Sequence, residues 1–178
     1  MTDNADLAAL IRTIPDYPKP GILFRDVSTL LLDGPGFRAT IDRMAAMVAP
    51  DTTLIAGIEA RGFVVAAGLS YALGLGKLML RKPGKLPGEK IGTDYALEYG
   101  TDRIEMHVGH VREGQKVLLV DDLIATGGTA LAGVDLITRG GGIVEQALFI
   151  VDLPDLGGAE KLRAQGIRVD CLIDFEGD

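Results

Sequence analysis

From Thr53 to Ile173 the chain alternates short apolar runs with stretches of helical period, and no other feature constrains its fold as strongly. Thr53–Ala56, Lys77–Leu80, Lys116–Val120, Ile143–Val151 and Ile167–Ile173 have strand length, whereas Phe63–Leu73, Thr129–Thr138 and Ala159–Ala164 have helical spacing. Strands that are apolar on both faces and joined through helices form a parallel sheet buried between helical layers. The expected class is therefore α/β, a central mainly parallel sheet flanked by helices. A chain of 178 residues can bury a full core, and residues 1–178 are expected to form one domain.

Two segments depart from the alternation. Near the start, Asp3 or Asn4 caps a helix carrying Leu7, Leu10, Ile11 and Ile14, which Pro15 ends. Three prolines between Pro15 and Gly21 then predict an extended arm, so residues 1–34 stand apart from the sheet. Pro35 opens a helix that buries Phe37, Ile41, Met44, Ala45 and Val48. The second segment, Lys82–Thr93, holds two Pro, three Gly and three Lys and reads as a long polar loop of the functional kind. After it, Tyr95, Leu97 and Tyr99, then Ile104, Met106 and Val108, alternate around Gly100-Thr101-Asp102 as an antiparallel hairpin; loop and hairpin span residues 82–108.

Charge and composition exclude several classes. A net charge of −7 repels a polyanion, so no nucleic-acid partner is expected, although a local basic pocket can still take a small anion. The single cysteine, Cys171, rules out an intramolecular disulfide, and two histidines, His107 and His110, do not make a zinc ligand set. No apolar run approaches the ~20 residues of a membrane span, and the first residues lack a signal-peptide pattern. A cytoplasmic protein with no membrane partner is expected.

The chemistry is concentrated in Val117–Ala130, where a buried strand ends in Asp121-Asp122 and the small-residue turn Ala125-Thr126-Gly127-Gly128-Thr129 opens a helix. Ligands of open parallel sheets collect at the carboxyl ends of strands, where helix N-termini offer unpaired N–H groups and a positive dipole end. Ala125, Thr126, Gly127, Gly128 and Thr129 are suited to wrap a phosphate, with glycines that let the backbone approach and hydroxyls that donate. Asp121 and Asp122 would repel phosphate but accept from ribose hydroxyls or hold a hydrated Mg²⁺. Phosphate and sugar together mean a phosphoribosyl group. The turn Gly57-Ile58-Glu59-Ala60-Arg61-Gly62, also between a strand and a helix, can meet a second anion through its amides and Arg61; taken alone it reads rather as an ordinary β–α turn with a surface salt bridge. Neither Gly-x4-Gly-Lys-Ser/Thr nor Gly-x-Gly-x-x-Gly occurs, which removes P-loop ATPases and dinucleotide binders.

This strand, acid pair and Ala-Thr-Gly-Gly-Thr loop resemble the phosphoribosyl-pyrophosphate (PRPP) motif of the type I phosphoribosyltransferases. IPDYPKPGILFRDVSTLL, GIEARGF, LRKPGKLPG and YALEYGTDRIEMH, in one collinear order, narrow the resemblance to the adenine phosphoribosyltransferase family; LPDLGGAEKL is similar more loosely. The resemblance implies the type I phosphoribosyltransferase fold, with a mobile loop and hairpin and an N-terminal base-binding arm. It implies that Ala125 to Thr129 hold the 5′-phosphate, and that Asp121 and Asp122 hold the ribose. Glu59, Ala60 and Arg61, together with Arg81, Lys82 and Lys85, would meet pyrophosphate, and Leu23, Phe24, Arg25 and Leu123 would meet adenine. Glu98 is the implied catalytic residue, moving a proton at the purine. Mg²⁺ would be held mainly by PRPP and water, near Asp121 and Asp122, with no dedicated cage. The implied partners are adenine, PRPP, AMP and pyrophosphate, and a second copy of the chain, a homodimer in which Arg81 reaches the neighbouring site.

Two alternatives stay open at this point. A transferase for xanthine or hypoxanthine/guanine would share the Asp-Asp loop but differ at Gly21–Asp26 and Tyr95–Gly100. A non-enzymatic PRPP or nucleotide sensor would keep the same fold, since fold alone does not fix function.

Overall fold

The computed structural model describes residues 4–96 and 100–177. In chain order the elements are α1 (Ala5–Ala8), β1 (Arg12–Pro15), β2 (Leu23–Asp26), α2 (Ser28–Leu32), α3 (Gly34–Met47), β3 (Leu54–Ile58), α4 (Gly62–Leu73) and β4 (Gly76–Leu80). There follow β5 (Lys90–Ala96), β6 (Thr101–His107), β7 (Lys116–Ile124), α5 (Gly128–Arg139), β8 (Ile143–Asp152), α6 (Gly158–Arg163) and β9 (Arg168–Asp174). The central sheet runs β4-β3-β7-β8-β9 with every neighbouring pair parallel, the α/β architecture expected.

Strand periodicity divides the core between the two sheet faces. Ala56 and Ile58, Val117 and Leu119, and Ala147 and Phe149 pack on one side with Ala130 and Ile137 of α5, Leu162 of α6, and Tyr95, Ile104 and Met106 of the hairpin. Ile55, Leu118 and Val120, and Leu148 and Ile150 pack on the other with Ile41 and Met44 of α3 and Val65, Ala66 and Leu69 of α4. The chain leaves β3 along one face through α4, and leaves β7, its sheet neighbour, along the opposite face through α5. The connections therefore diverge between β3 and β7, which creates a crevice at the carboxyl ends of those strands.

The arm differs from its sequence pattern. The first helix is one turn, Ala5–Ala8, and the chain is already extended at Arg12, because Arg12–Pro15 pairs antiparallel with Leu23–Asp26. The apolar spacing that suggested a helix through Ile14 instead seats Leu7 and Ile11 in the core. Asn4 stands at the N-cap of α1, but its side chain makes no capping bond; its side-chain amide donates to the Leu172 carbonyl (2.7 Å) and its oxygen accepts from Arg43 (2.8 Å). Pro35 lies in the first turn of α3 as expected, with Asp33 accepting from the Gly36 amide (2.7 Å) as N-cap; of the face expected to be buried, Ile41 and Met44 are, Phe37 and Ala45 are half-buried, and Val48 lies past the helix end.

Three further boundaries are corrected. β5 begins at Lys90, so the loop is shorter than Lys82–Thr93; β6 begins at Thr101, so Thr101 and Asp102 are strand residues. Val108 is half exposed beyond the end of β6, since the chain turns there; of the alternating set Tyr95, Ile104 and Met106 are buried, and Leu97 and Tyr99 lie outside the described residues. β7 continues through Ile124 because Leu123 and Ile124 stay in register with Val151 and Asp152, so both acids lie within the strand. Among the described residues, no helix is long and apolar enough to cross a membrane.

Candidate active site

The crevice holds an open cavity of about 220 Å³, lined by Arg61, Asp121, Asp122, Leu123 and the Ala125–Thr129 loop, with Ile124, Ala130 and Phe149 beneath. The structure thus brings together the acid pair, the phosphate-type loop and the arginine of the turn after β3. No side chain caps α5, whose first turn lines the cavity, so its amides and dipole are directed at whatever binds there.

The loop is supported from behind by α6. Gly158 N–H donates to the Ala125 carbonyl (3.0 Å), and Lys161 Nζ donates to the Thr126 carbonyl (2.8 Å). A Cβ on Gly158 would lie 2.2 Å from that Ala125 oxygen, which is why a glycine stands there. Neither residue was singled out from the sequence. The signal was the Gly-Gly pair of LPDLGGAEKL ahead of a short helix, whose contact with the loop is set only by the fold.

Asp121 and Asp122 differ in surroundings. Asp122 is 5% exposed and accepts a charged hydrogen bond from Arg61 Nε, whose guanidinium remains open to the cavity. Asp122 chiefly, with smaller help from Asp121 and Asp26, raises the Arg61 guanidinium above its usual value. Asp26 belongs to the arm, so the arm contributes to the field at this turn. Burial first, then the neighbouring Asp122 charge, pushes the Asp121 carboxyl well above the usual carboxylate range. Its Oδ1 accepts from the Asp122 amide (2.9 Å), and a Cβ on Gly62 would come within 2.7 Å of the same oxygen, so helix α4 closes directly over the carboxyl.

Glu59, Arg81 and Lys82 meet at the rim of the crevice and do not line the cavity. Glu59 accepts from the Lys82 amide (2.8 Å) and Arg81 Nε (3.2 Å); burial would raise its carboxyl, but these contacts prevail and hold it below its usual range. Lys82 turns to the hairpin, donating to Tyr95 (2.9 Å) and Asp102. Burial lowers the Lys82 ammonium, yet those partners outweigh it and raise the group above its usual value. Ala60 is exposed and follows a cis peptide bond, while Lys85 is exposed with its carbonyl accepting from Arg81 (3.3 Å).

Of the four residues associated with adenine, Leu123 alone lines the cavity. Leu23, Phe24 and Arg25 lie half-buried on β2, which pairs only with β1 among the described residues. Tyr17 packs edge-on against Phe24, ring centroids 5.2 Å apart. Glu98 lies outside the described residues. His107 is half-buried, its Nε2 2.8 Å from the Pro87 carbonyl, and does not line the cavity. Among the described residues no group of three or more His, Cys, Asp and Glu is arranged to hold a metal. A pair of carboxylates beside an open cavity instead suits Mg²⁺, which commonly takes one or two carboxylates plus the oxygens of a bound phosphate.

Residues 28–176 match the family model of the phosphoribosyl transferase domain. The chain is 58% identical over 174 residues to an adenine phosphoribosyltransferase of Erythrobacter litoralis, covering 97% of each chain. It is 53% identical over 171 residues to that of Chlorobium phaeobacteroides, covering 94% of this chain and 97% of the other. Among solved structures, adenine phosphoribosyltransferase from Thermoanaerobacter pseudethanolicus superposes with a TM-score of 0.91 at 45% identity, covering 96% of this chain and 99% of that one. The Saccharomyces cerevisiae enzyme, complexed with an imino-altritol bisphosphate and adenine, gives 0.86 at 33% identity, with 95% and 97% covered.

Proposed function

Because the chain belongs to the adenine phosphoribosyltransferase family, we propose that it joins adenine to the phosphoribosyl group of PRPP, giving AMP and pyrophosphate with inversion at the anomeric carbon. This is a purine-salvage reaction. The observation that carries the reading is the single cavity wall formed by Asp121, Asp122, Ala125–Thr129 and Arg61. It offers separate places to a phosphate, a sugar and a second anion.

In this reading the 5′-phosphate sits on the uncapped amides of the Ala125–Thr129 loop, and the ribose hydroxyls meet Asp121 and Asp122. Ribose hydroxyls donating to the two carboxyls relieve the repulsion between them. As the bond from C1 to pyrophosphate lengthens, positive charge grows on the sugar and negative charge on the leaving group. Arg61 neutralises the latter from a position already set by Asp122, and Arg81, Lys82 and Lys85 approach from the rim. Asp121 and Asp122 would lie beside a Mg²⁺ held mainly by PRPP and water, which would supply charge neutralisation at the leaving group. Adenine N9 attacks from the opposite face, held by Leu23, Phe24, Arg25 and Leu123, where the edge of β2 that is unpaired among the described residues offers backbone donors and acceptors to the base. Glu98 takes the proton, and closure of the segment after Lys82 keeps water from the cationic sugar.

The active form is a homodimer acting in the cytoplasm. Val64 (42% exposed), Tyr71 (91%) and Met79 (39%) leave apolar surface on α4 and the edge strand β4, which a second copy would cover. Arg81 follows β4 directly, so it lies where that copy would approach. The lone thiol Cys171 suits a reducing compartment.

The test is a Mg²⁺-dependent assay of pyrophosphate release from PRPP with adenine, hypoxanthine, guanine and xanthine supplied separately. Release with adenine alone, together with AMP, supports the reading. Release only with a 6-oxopurine overturns the assignment of the arm, and silence with every base overturns the transferase.

A further inference from the structure

The last described residues run back against the arm. Beyond β9, the Phe175 amide donates to the Asp152 carbonyl (3.1 Å) and the Gly177 amide to the Asp155 carboxylate (2.8 Å), which fixes this tail to the end of β8 and the turn that follows. Arg25 reaches out from β2 to meet it. Its guanidinium carbon stands 4.5 Å from the Phe175 ring centroid, and its Nη2 donates to the Glu176 carbonyl (3.0 Å). Its Nη1 donates to the Thr13 hydroxyl (2.7 Å) on β1, while its Nε is buried without a partner.

A buried N–H without an acceptor disfavours this pose, so the ring contact and the two Nη bonds are what hold the guanidinium there. The supported element is weak by itself, because β1 and β2 are four-residue strands that pair only with each other among the described residues. Of the residues assigned to adenine, Arg25 is the one shown in contact with the tail, through the Phe175 ring and the Glu176 carbonyl.

We propose that Phe175 is a positioning residue for base binding, its ring acting through Arg25 to set β2 at the distance from the cavity that adenine requires. The proposal rests on the reading of the arm given above. It assigns the tail no contact with the reacting atoms.

The experiment compares the full-length wild type with Phe175→Leu, which keeps the apolar packing against the core but loses the ring, and Phe175→Tyr, which keeps the ring. In Phe175→Leu the KM for adenine rises about three- to thirtyfold, the range of a cation–π contact from exposed to desolvated, while kcat and the KM for PRPP stay within about twofold. Phe175→Tyr restores the adenine KM. An unchanged adenine KM in Phe175→Leu overturns the proposal, as does a rise of both KM values in step with a lower Tm. Amide hydrogen exchange across Leu23–Asp26 supplies a readout independent of activity: it quickens in Phe175→Leu and not in Phe175→Tyr. Equal exchange in all three proteins overturns the coupling, whereas a wild type inactive with adenine but quickened in Phe175→Leu overturns only the substrate.

Discussion

Arg61, on the turn after β3, donates through Nε to the Asp122 carboxylate on β7, so one charged hydrogen bond ties the two walls of the crevice together. The guanidinium is 56% exposed at its side chain and the carboxylate 7%, which leaves the remaining N–H groups facing outward for an anion. In Arg61→Gln, kcat/KM for PRPP falls about 10²–10³-fold while the adenine KM changes by less than about threefold. Steady-state kinetics check this; a fall of less than about tenfold would remove Arg61 from the leaving-group site.

Asp121 gives a stability signature opposite in sign to that of a paired carboxylate. Its folded-state carboxyl titrates well above its usual 3.8, so the folded chain binds more protons than the unfolded one from that value upward. Stability is then lost as the pH rises through this window. Asp121→Asn abolishes the titration and raises Tm at about pH 7 by about 2–4 °C, the shift of roughly 1 kcal/mol in a chain of this size. The advantage shrinks toward pH 4, and calorimetry across that range follows it. Turnover moves the other way: Asp121→Asn combined with Asp122→Asn loses at least about 100-fold, with circular dichroism unchanged.

Gly158→Ala tests the support behind the phosphate loop. The new methyl group meets the Ala125 carbonyl oxygen at 2.2 Å, and backbone must shift on one side or the other. Overpacking of this kind destabilises by about 1–3 kcal/mol. The expected result is a lower Tm with a raised KM for PRPP and little change in the KM for adenine. An unchanged PRPP KM would show that the loop does not depend on α6.

Tyr71→Glu puts a charge into the apolar surface of α4, where the tyrosine is 91% exposed and its removal leaves the core intact. Sedimentation velocity is expected to show a dimer for the wild type and a monomer for the variant, with activity lost in parallel. A wild type that sediments as an active monomer rejects the dimer.

The sheet and the floor of the cavity were legible because their signals are local. The apolar runs at Val117–Val120 and Ile143–Val151 have strand length, and the loop from Ala125 to Thr129 carries its glycines and hydroxyls in sequence. The arm was misread from Leu10 to Ile14 because helical spacing and tertiary docking made the same demand: Leu7 and Ile11 are buried, but with strand pairing between them and Pro15. β7 runs past its apolar stretch Lys116–Val120 through the acids to Ile124, because partners on β8 hold that segment extended, a demand that apolar run length does not encode. Lys82 read as a loop cation for the leaving group, while its partners Tyr95 and Asp102 become neighbours only once β5 and β6 pair. Gly158 and Lys161 contact a loop some 30 residues earlier, a relation that spacing alone does not encode.

The hydrogen bond from Arg25 to Glu176 spans 151 positions, and that separation has a consequence in time. At a synthesis rate of about 5–20 residues per second, the arm leaves the ribosome roughly 8–30 s before the residues that clamp it. Throughout that interval the two-strand ribbon of β1 and β2 has nothing from the tail against it. Residues of the arm are thus made well before those that hold them, and a nascent chain completes the Ala125–Thr129 loop before the arm is anchored.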